Sequence, residues 1–213
     1  MTYRIFHDMT QCTELEVARL LPLVSEQRRQ QALAYNHLFG QYCCLKSYEI
    51  LMELLAFTPY TLHHTPHFLY NEYGRPFIED GPSFSISHCK YGIAVAISEN
   101  PIGIDIEHLR TAKPELVART MNEQEQEQIW QASNPDWAFT QLWTQKEAVL
   151  KLKGTGIISM DDIKNTLVSI EHIDLNTKVN IDKQYAYTLA TPNTPQSPEG
   201  RPIANRPWPK GDL

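Results

Sequence analysis

The stretch "SFSISHCKYGIAVAISENPIGIDIE", residues 83–107, holds three short apolar segments separated by brief links. Residues 83–88 alternate polar and apolar side chains, which indicates a strand with one buried face. Residues 92–98 form a continuous apolar run and indicate a second strand, and residues 102–107 indicate a third. Because the links between them are so short, the sequence predicts that the three strands form a meander.

Helical and strand patterns flank this stretch on both sides. Upstream, the sequence predicts a strand at 3–7, a helix from about Glu14, and a mostly helical region at 25–57 with Ser25 as N-cap and a break at Asn36 or Gly40. Downstream, it predicts helices over 114–121, 122–133 and 136–154, followed by strand-like segments at 166–173, 178–181 and 185–190. Helices followed by strands thus occur twice, which favours an α+β fold of two similar packed halves.

The domain boundaries follow from this repetition and from the composition of the C-terminus. The predicted halves cover residues 1–100 and 101–190, with the functional site at their junction. Residues 191–213 are rich in proline, and we expect them to form a flexible tail.

Composition and charge exclude several classes of protein. The chain has 213 residues, of which 42% are hydrophobic and 21% charged, as in a soluble globular protein. Its formal net charge of −6 argues against nucleic-acid binding, and no apolar run is long enough to span a membrane. We find no signal-peptide pattern, and the four cysteines form no CxxC pair. These features predict a cytoplasmic protein with reduced thiols.

Two carboxylates interrupt the third apolar segment. Side chains two residues apart in a strand point to the same face, so Asp105 and Glu107 should lie together, opposite Ile104 and Ile106. Two such charges repel each other, and a divalent cation relieves that repulsion. Oxygen ligands without histidine or cysteine suit Mg²⁺, with Mn²⁺ as a second possibility. The simpler alternative is a strand end whose acids face solvent.

A lysine and a glutamate lie on the predicted apolar side of the helix over 137–153. At 100° per residue, Lys146 falls near the centre of the apolar stripe and Glu147 at its edge, with Lys151 one turn beyond Glu147. The pattern predicts a polar or small opposite face, which includes Thr144 and Ala148. An ordinary helical Glu147–Lys151 pair is an alternative reading, but it does not explain Lys146.

Two further motifs are weak when taken alone. Ser87 and His88 end the first predicted strand of the opening stretch, where a histidine is more often structural or solvated than functional. "YGRP", residues 73–76, is a turn pattern in which Arg75 would ordinarily be solvated.

Taken in order, these motifs resemble a known family. "YGRP", "FSISHC", "IGIDIE" and "WTQKEAVLKLKGTG" are similar in order, spacing and chemistry to the signature blocks of the Sfp-type 4'-phosphopantetheinyl transferases. The resemblance covers most of the chain and implies that family's α+β fold. It also implies the family's activity, which transfers 4'-phosphopantetheine from coenzyme A to a serine of an apo acyl or peptidyl carrier protein and releases 3',5'-ADP.

The resemblance also implies roles for individual residues. It makes Asp105, Glu107 and Glu147 the Mg²⁺ ligands, and it makes Lys151 a contact of the reacting phosphate. Either Glu147 or a metal-bound water beside it would act as general base. The residues implied for coenzyme A binding are Ser87 and His88 at the phosphates, Gly74, Arg75 and Pro76 at the nucleotide, and Arg28 as a candidate for the 3'-phosphate.

Other functions remain open at this point. The chain could bind a carrier protein or coenzyme A without catalysis, although the intact acids and Lys151 argue against that reading. A Mg²⁺-dependent hydrolase of phosphate esters or pyrophosphates also needs carboxylates, and only the tail supports a pure interaction module. Two halves in one chain would allow a monomer.

Overall fold

The computed structural model describes residues 1–62, 66, 68–156 and 159–193. The helices are α1 (Glu14–Leu20), α2 (Glu26–Leu33), α3 (Leu38–Leu55), α4 (Pro114–Thr120), α5 (Glu123–Gln131), α6 (Pro135–Lys153) and α7 (Met160–Asn165). The strands are β1 (Thr2–Phe6), β2 (Phe68–Tyr70), β3 (Pro76–Ile78), β4 (Ser83–Cys89), β5 (Gly92–Ser98), β6 (Gly103–His108), β7 (Ile173–Asn180) and β8 (Tyr185–Pro192). These elements confirm the predicted α+β class.

The three strands of the opening stretch do not form the predicted meander. β4 pairs with β5, as expected, but β6 pairs with β8 in a separate sheet. β5 already lies between β1 and β4, so neither of its edges is free to accept β6. The link at 99–102 therefore carries the chain into the second sheet.

The two three-stranded sheets have the same strand order. In the first sheet, β4 and β5 form a hairpin and β1 pairs with β5. In the second sheet, β7 and β8 form a hairpin and β6 pairs with β8 in the same way. All of these pairings are antiparallel. A third, small sheet consists of β2 and β3.

The cores explain why the sheets pack as they do. α3 lies against β5, and α6 lies against β6 and β8. Between the two sheets, Ile104 and Ile106 pack with Ala94 and Ala96. Gly103 permits the close approach of α6 to β6, because a Cβ there would lie 2.0 Å from the backbone oxygen of Ala148. The glycine of "IGIDIE" is thus required by packing.

Most predicted helices are confirmed, and their capping residues show why they begin where they do. The Ser25 hydroxyl accepts a hydrogen bond from the backbone N–H of Arg28, which confirms it as the N-cap of α2. The chain breaks between α2 and α3 at 34–37, which supports Asn36 rather than Gly40 as the break.

One local prediction is wrong. The strand predicted at 166–173 is instead turn that follows α7, and β7 starts only at Ile173. The polar or small face of α6, opposite the apolar stripe, is also buried, because Thr144 and Ala148 are fully covered. The Thr144 hydroxyl forms a 2.9 Å hydrogen bond with the hydroxyl of Thr188 on β8, so this helix is covered on both sides.

The C-terminal boundary also differs from the prediction. Thr191 and Pro192 still pair with β7, so the second sheet extends into the predicted tail of 191–213. Residues 194–213 lie outside the described residues. All four cysteines carry free thiols. Among the helices that the structure describes, none combines the length and the apolar character needed to cross a bilayer.

Candidate functional site

Asp105 lies at the junction of β4, β6 and α6. Its carboxylate is buried, and Oδ1 accepts hydrogen bonds from Ser87 Oγ and from Lys151 Nζ, each at 2.7 Å. Its second oxygen, Oδ2, is buried and has no hydrogen-bond partner among the described residues. A buried carboxylate oxygen without a donor is costly and is expected to have a ligand.

Glu107 and Glu147 lie near enough to Asp105 to respond to its charge. Burial, followed by the negative charge of Asp105, raises the pKa of Glu107 to about 7. The same two causes raise the pKa of Glu147. Arg110 partly offsets the repulsion, because its Nη1 lies 3.3 Å from Glu107 Oε1 while its guanidinium lies over the ring of Trp143. The structure therefore brings the three predicted acids into one electrostatic cluster.

These residues are suited to a divalent cation, although they are not a ready-made site. Across the described ranges, no three acidic, histidine or cysteine side chains are arranged as a metal centre. The donor set still fits a hard cation, because Asp105 Oδ2 lacks a donor and the two glutamates are destabilised by like charge. A cation beside Asp105 would relieve both defects.

The two lysines singled out on α6 have different partners. Lys151 bonds to Asp105, so its partner is on β6 and not the helical neighbour Glu147. Lys146 is 1% exposed, and its Nζ lies 2.8 Å from Glu125 Oε2. It also donates to the backbone oxygens of Ile163 and Lys164. Lys146 is thus a fully paired structural lysine.

The alternation of β4 sends Ser87 and His88 to different sides. Ser87 faces the second sheet, where it donates to Asp105. His88 is exposed on the other side, with its ring 6.2 Å from that of Phe39. Surrounding protein and then the charge of Lys151 lower the pKa of His88; the charge of Asp105 opposes this, and Arg28 has a smaller lowering effect. His88 is thus within electrostatic range of Lys151, Asp105 and Arg28.

A pocket opens on the His88 side of β4. About 340 Å³ of empty space lies against its lining, and part of this space is open solvent. The lining comes from α2, α3, β2, β3 and β4 and includes Arg28, Gln31, Tyr48, Tyr70, Pro76 and Ile86. Arg28 is held in place by bonds to the backbone oxygen of Cys44 and to Ser47 Oγ. Two of the predicted coenzyme-binding residues, Arg28 and Pro76, therefore line one pocket.

The other two residues of the "GRP" motif have different surroundings. Gly74 is exposed in a turn with φ of +77°, a backbone conformation that favours glycine. The Arg75 guanidinium donates to three backbone oxygens, those of Leu152, Ile102 and Phe84. The Arg75 side chain thus connects the C-terminal end of α6, the residue before β6 and strand β4.

Sequence reasoning missed several residues around the site. Arg110 and Trp143 support Glu107, and Glu125 neutralises Lys146. Only Glu125 had a readable signal, because Asn122 and Glu125 have the spacing of a helix capping box, which the structure contains. The contacts of Arg110 arise from tertiary packing and have no local pattern.

An acid cluster with a bonded lysine on one side of β4, and a pocket lined by an arginine on the other, are features that suit an α+β protein to phosphorylated ligands. The profile of the 4'-phosphopantetheinyl transferase superfamily matches residues 101–193, the part that holds Asp105, Glu107, Glu147 and Lys151. A 4'-phosphopantetheinyl transferase of Escherichia coli K12, AcpT, is 32% identical over 145 residues, which are 63% of this chain and 74% of AcpT. The chain belongs to this superfamily.

Two further relatives are also named as 4'-phosphopantetheinyl transferases. The 4'-phosphopantetheinyl transferase Sfp of Bacillus subtilis is 28% identical over 160 residues, covering 73% of this chain and 70% of Sfp. The enzyme gsp of Aneurinibacillus migulanus is 30% identical over 138 residues, which span 63% of this chain and 57% of gsp. This chain is accordingly a transferase that moves phosphopantetheine from coenzyme A to a carrier protein.

Proposed function

We propose that this chain is a Mg²⁺-dependent enzyme of the holo-[acyl-carrier-protein] synthase type, whose substrate is an apo acyl or peptidyl carrier protein. The observation that carries the proposal is the junction of Asp105, Glu107, Glu147 and Lys151, with Asp105 bonded to Lys151 at 2.7 Å. In the reaction, a carrier serine oxygen bonds to the β-phosphorus of coenzyme A. The bond from that phosphorus to 3',5'-ADP breaks, and the serine loses its proton.

Asp105, Glu107 and Glu147 would hold the metal. When bound, Mg²⁺ supplies charge neutralisation to the pyrophosphate oxygens. Mn²⁺, which also prefers oxygen ligands, is expected to substitute. Arg110 and Trp143 support Glu107 from outside the cluster and so hold its carboxylate in place.

Glu147 and Lys151 are the candidates for removing the serine proton and for stabilising charge on the reacting phosphate. Burial and then the charge of Asp105 raise the pKa of Glu147, whereas a cation held by the same carboxylate would lower it. Either Glu147 or a water beside it would therefore take the serine proton. Lys151 is 28% exposed at its side chain and lies at the rim of the cluster, from where Nζ can contact the reacting phosphate. Its present bond to Asp105 keeps it ordered before substrate arrives.

The cationic side chains of Arg28 and Lys151 indicate where coenzyme A would bind. Arg28 and Pro76 line the pocket beside β4, and we assign this pocket to the nucleotide, with Gly74 in the adjoining turn. His88 lies on the same side of β4 as this pocket and within electrostatic range of Lys151, and it would contact a coenzyme A phosphate. Ser87, bonded to Asp105, would link this route to the acid cluster.

The remaining expectations concern the oligomeric state, the cellular location and the partners of the enzyme. The two similarly ordered sheets belong to one chain, which would allow action as a monomer, and we expect a monomer. Free thiols support a reducing compartment, and we place the enzyme in the cytoplasm. We expect neither nucleic acid nor membrane among its partners, consistent with a formal net charge of −6.

Intact-mass measurement of an apo carrier protein tests the proposal directly. After incubation with coenzyme A, Mg²⁺ and this protein, the carrier should gain the mass of one phosphopantetheine group. Omission of Mg²⁺, or addition of a chelator, should prevent the gain. Consumption of coenzyme A without a change in the carrier would instead indicate hydrolysis.

A further inference from the structure

We propose that Arg75 is a positioning residue, which fixes the three elements of the site relative to one another by bonding to a backbone oxygen of each. Its Nη1 donates to the Leu152 oxygen at 3.1 Å, and its Nη2 donates to the Ile102 oxygen at 3.2 Å and the Phe84 oxygen at 3.5 Å. The inference rests on the proposed function and assigns Arg75 a role different from nucleotide contact.

The three bonded oxygens belong to the segments that carry the candidate site residues. Leu152 directly follows Lys151 on α6, and Ile102, the residue immediately before β6, precedes Asp105 by three residues. Phe84 precedes Ser87 by three residues on β4. A shift of any one segment would therefore stretch a bond to Arg75 and also displace a site residue.

The charge of Arg75 is matched by carbonyl dipoles. Among the residues that the structure describes, Arg75 forms no ion pair with a carboxylate. Leu152 lies in the last turn of α6, where unpaired carbonyls carry the negative end of the helix dipole. A planar guanidinium reaches several oxygens at once, which a lysine ammonium on its single stem does less well.

Gly154 and Asn71 allow the close contact between Arg75 and the end of α6. Gly154 ends α6 with φ of +74°, and a Cβ there would lie 2.9 Å from Arg75 Nη1. Asn71 Nδ2 donates to the Gly154 oxygen at 2.9 Å, while Asn71 Oδ1 accepts from the backbone N–H of Arg75 at 2.8 Å. The turn before β3 therefore contacts the end of α6 through two hydrogen bonds, one from Asn71 and one from Arg75.

The test compares Arg75→Met and Arg75→Lys with Arg28→Met, the matched change at an arginine that lines the pocket. Single-turnover transfer at saturating coenzyme A and the Kd of 3',5'-ADP are measured for each protein. Arg75→Met should lower the saturating rate by about tenfold to 10²-fold, as a small misplacement of reacting groups does, and leave the Kd within about twofold. Arg75→Lys should recover part of the rate, and Arg28→Met should mainly raise the Kd.

Amide hydrogen exchange supplies a readout that does not depend on catalysis. Arg75→Lys should speed exchange at the end of α6 and at the start of β6, relative to Arg28→Met, even if Arg75→Met proves too unstable to assay. A raised Kd with an unchanged saturating rate would overturn the proposal in favour of nucleotide contact. Unchanged rate, Kd and exchange would also overturn it. If the wild-type chain transfers nothing, the proposed function fails, and the exchange result still decides the role of Arg75.

Discussion

Each of two faces of α6 carries a lysine paired with a buried acid, and the two lysines have different chemical consequences. Toward α5 and α7, Lys146 is 1% exposed and bonds to Glu125 and two backbone oxygens. Toward β6, Lys151 is 28% exposed at its side chain and bonds to Asp105, whose second oxygen lacks a partner among the described residues. The second oxygen of Glu125 also lacks a partner among the described residues, so the two sites differ in the lysine itself. Lys146 is enclosed and has three partners, whereas Lys151 has one partner and an exposed side from which it can reach a substrate.

The largest effect is expected at the acid that Lys151 contacts. Asp105→Asn keeps the shape of the side chain but removes its charge, so transfer should fall on the order of 10³-fold. Mg²⁺ should then no longer raise the Tm, whereas it should raise the Tm of the wild-type protein. Single-turnover rates and melting curves with and without Mg²⁺ measure both. Asp174→Asn, at an exposed acid on β7, is the matched control. A normal rate in Asp105→Asn would remove this residue from the site.

Lys146 should affect stability and leave the chemistry unchanged. Lys146→Met breaks a buried pair and strands the Glu125 carboxylate, which should cost about 3–5 kcal/mol of unfolding free energy. Urea unfolding measures this loss, with the exposed Lys178→Met as control. Addition of Glu125→Leu should restore most of it, and folded Lys146→Met should transfer at close to the wild-type rate. A specific rate loss in a folded, stabilised double variant would contradict the comparison.

Lys151, unlike Lys146, should affect the transfer rate. Lys151→Ala should lower the saturating single-turnover rate on the order of 10²-fold, because one donor to the developing phosphate charge is lost. Lys151→Arg keeps the charge with a different shape and should recover only part of the rate. The Tm of Lys151→Ala should fall, because the buried Asp105 carboxylate loses its cationic partner, and Mg²⁺ should restore it. Lys151→Arg keeps the charge and should keep the Tm close to that of the wild-type protein. Lys153→Ala on the same helix is the control, and a full-rate Lys151→Ala would leave this lysine as a surface residue.

The smallest effect is expected at His88, which lies farther along the coenzyme route. His88→Ala should raise the KM for coenzyme A by at least about tenfold, since a hydrogen bond to a charged group contributes about 1.5–3 kcal/mol. The change in kcat should be smaller, because this contact is made in the ground state as well. Steady-state kinetics at varied coenzyme A measure the two constants, with the exposed His172→Ala as control. A loss confined to kcat would move His88 into the chemical step.

Much of the fold and most of the candidate site were predictable because they depend on local spacing. The i, i+2 period of a strand placed Asp105 and Glu107 on one face, opposite the buried Ile104 and Ile106. Helical spacing likewise placed Glu147 and Lys151 one turn apart on α6. These relations need only a few consecutive residues, so the sequence by itself determined them.

Tertiary structure alone decided the partners. β6 pairs with β8 because both edges of β5 are already occupied, and no local pattern shows which edge is free. Lys151 bonds to Asp105, Lys146 bonds to Glu125, and Arg75 bonds to the oxygens of three separate segments. The choice of partner for a buried charge depends on which groups packing brings within about 3 Å, and those groups lie far apart along the chain.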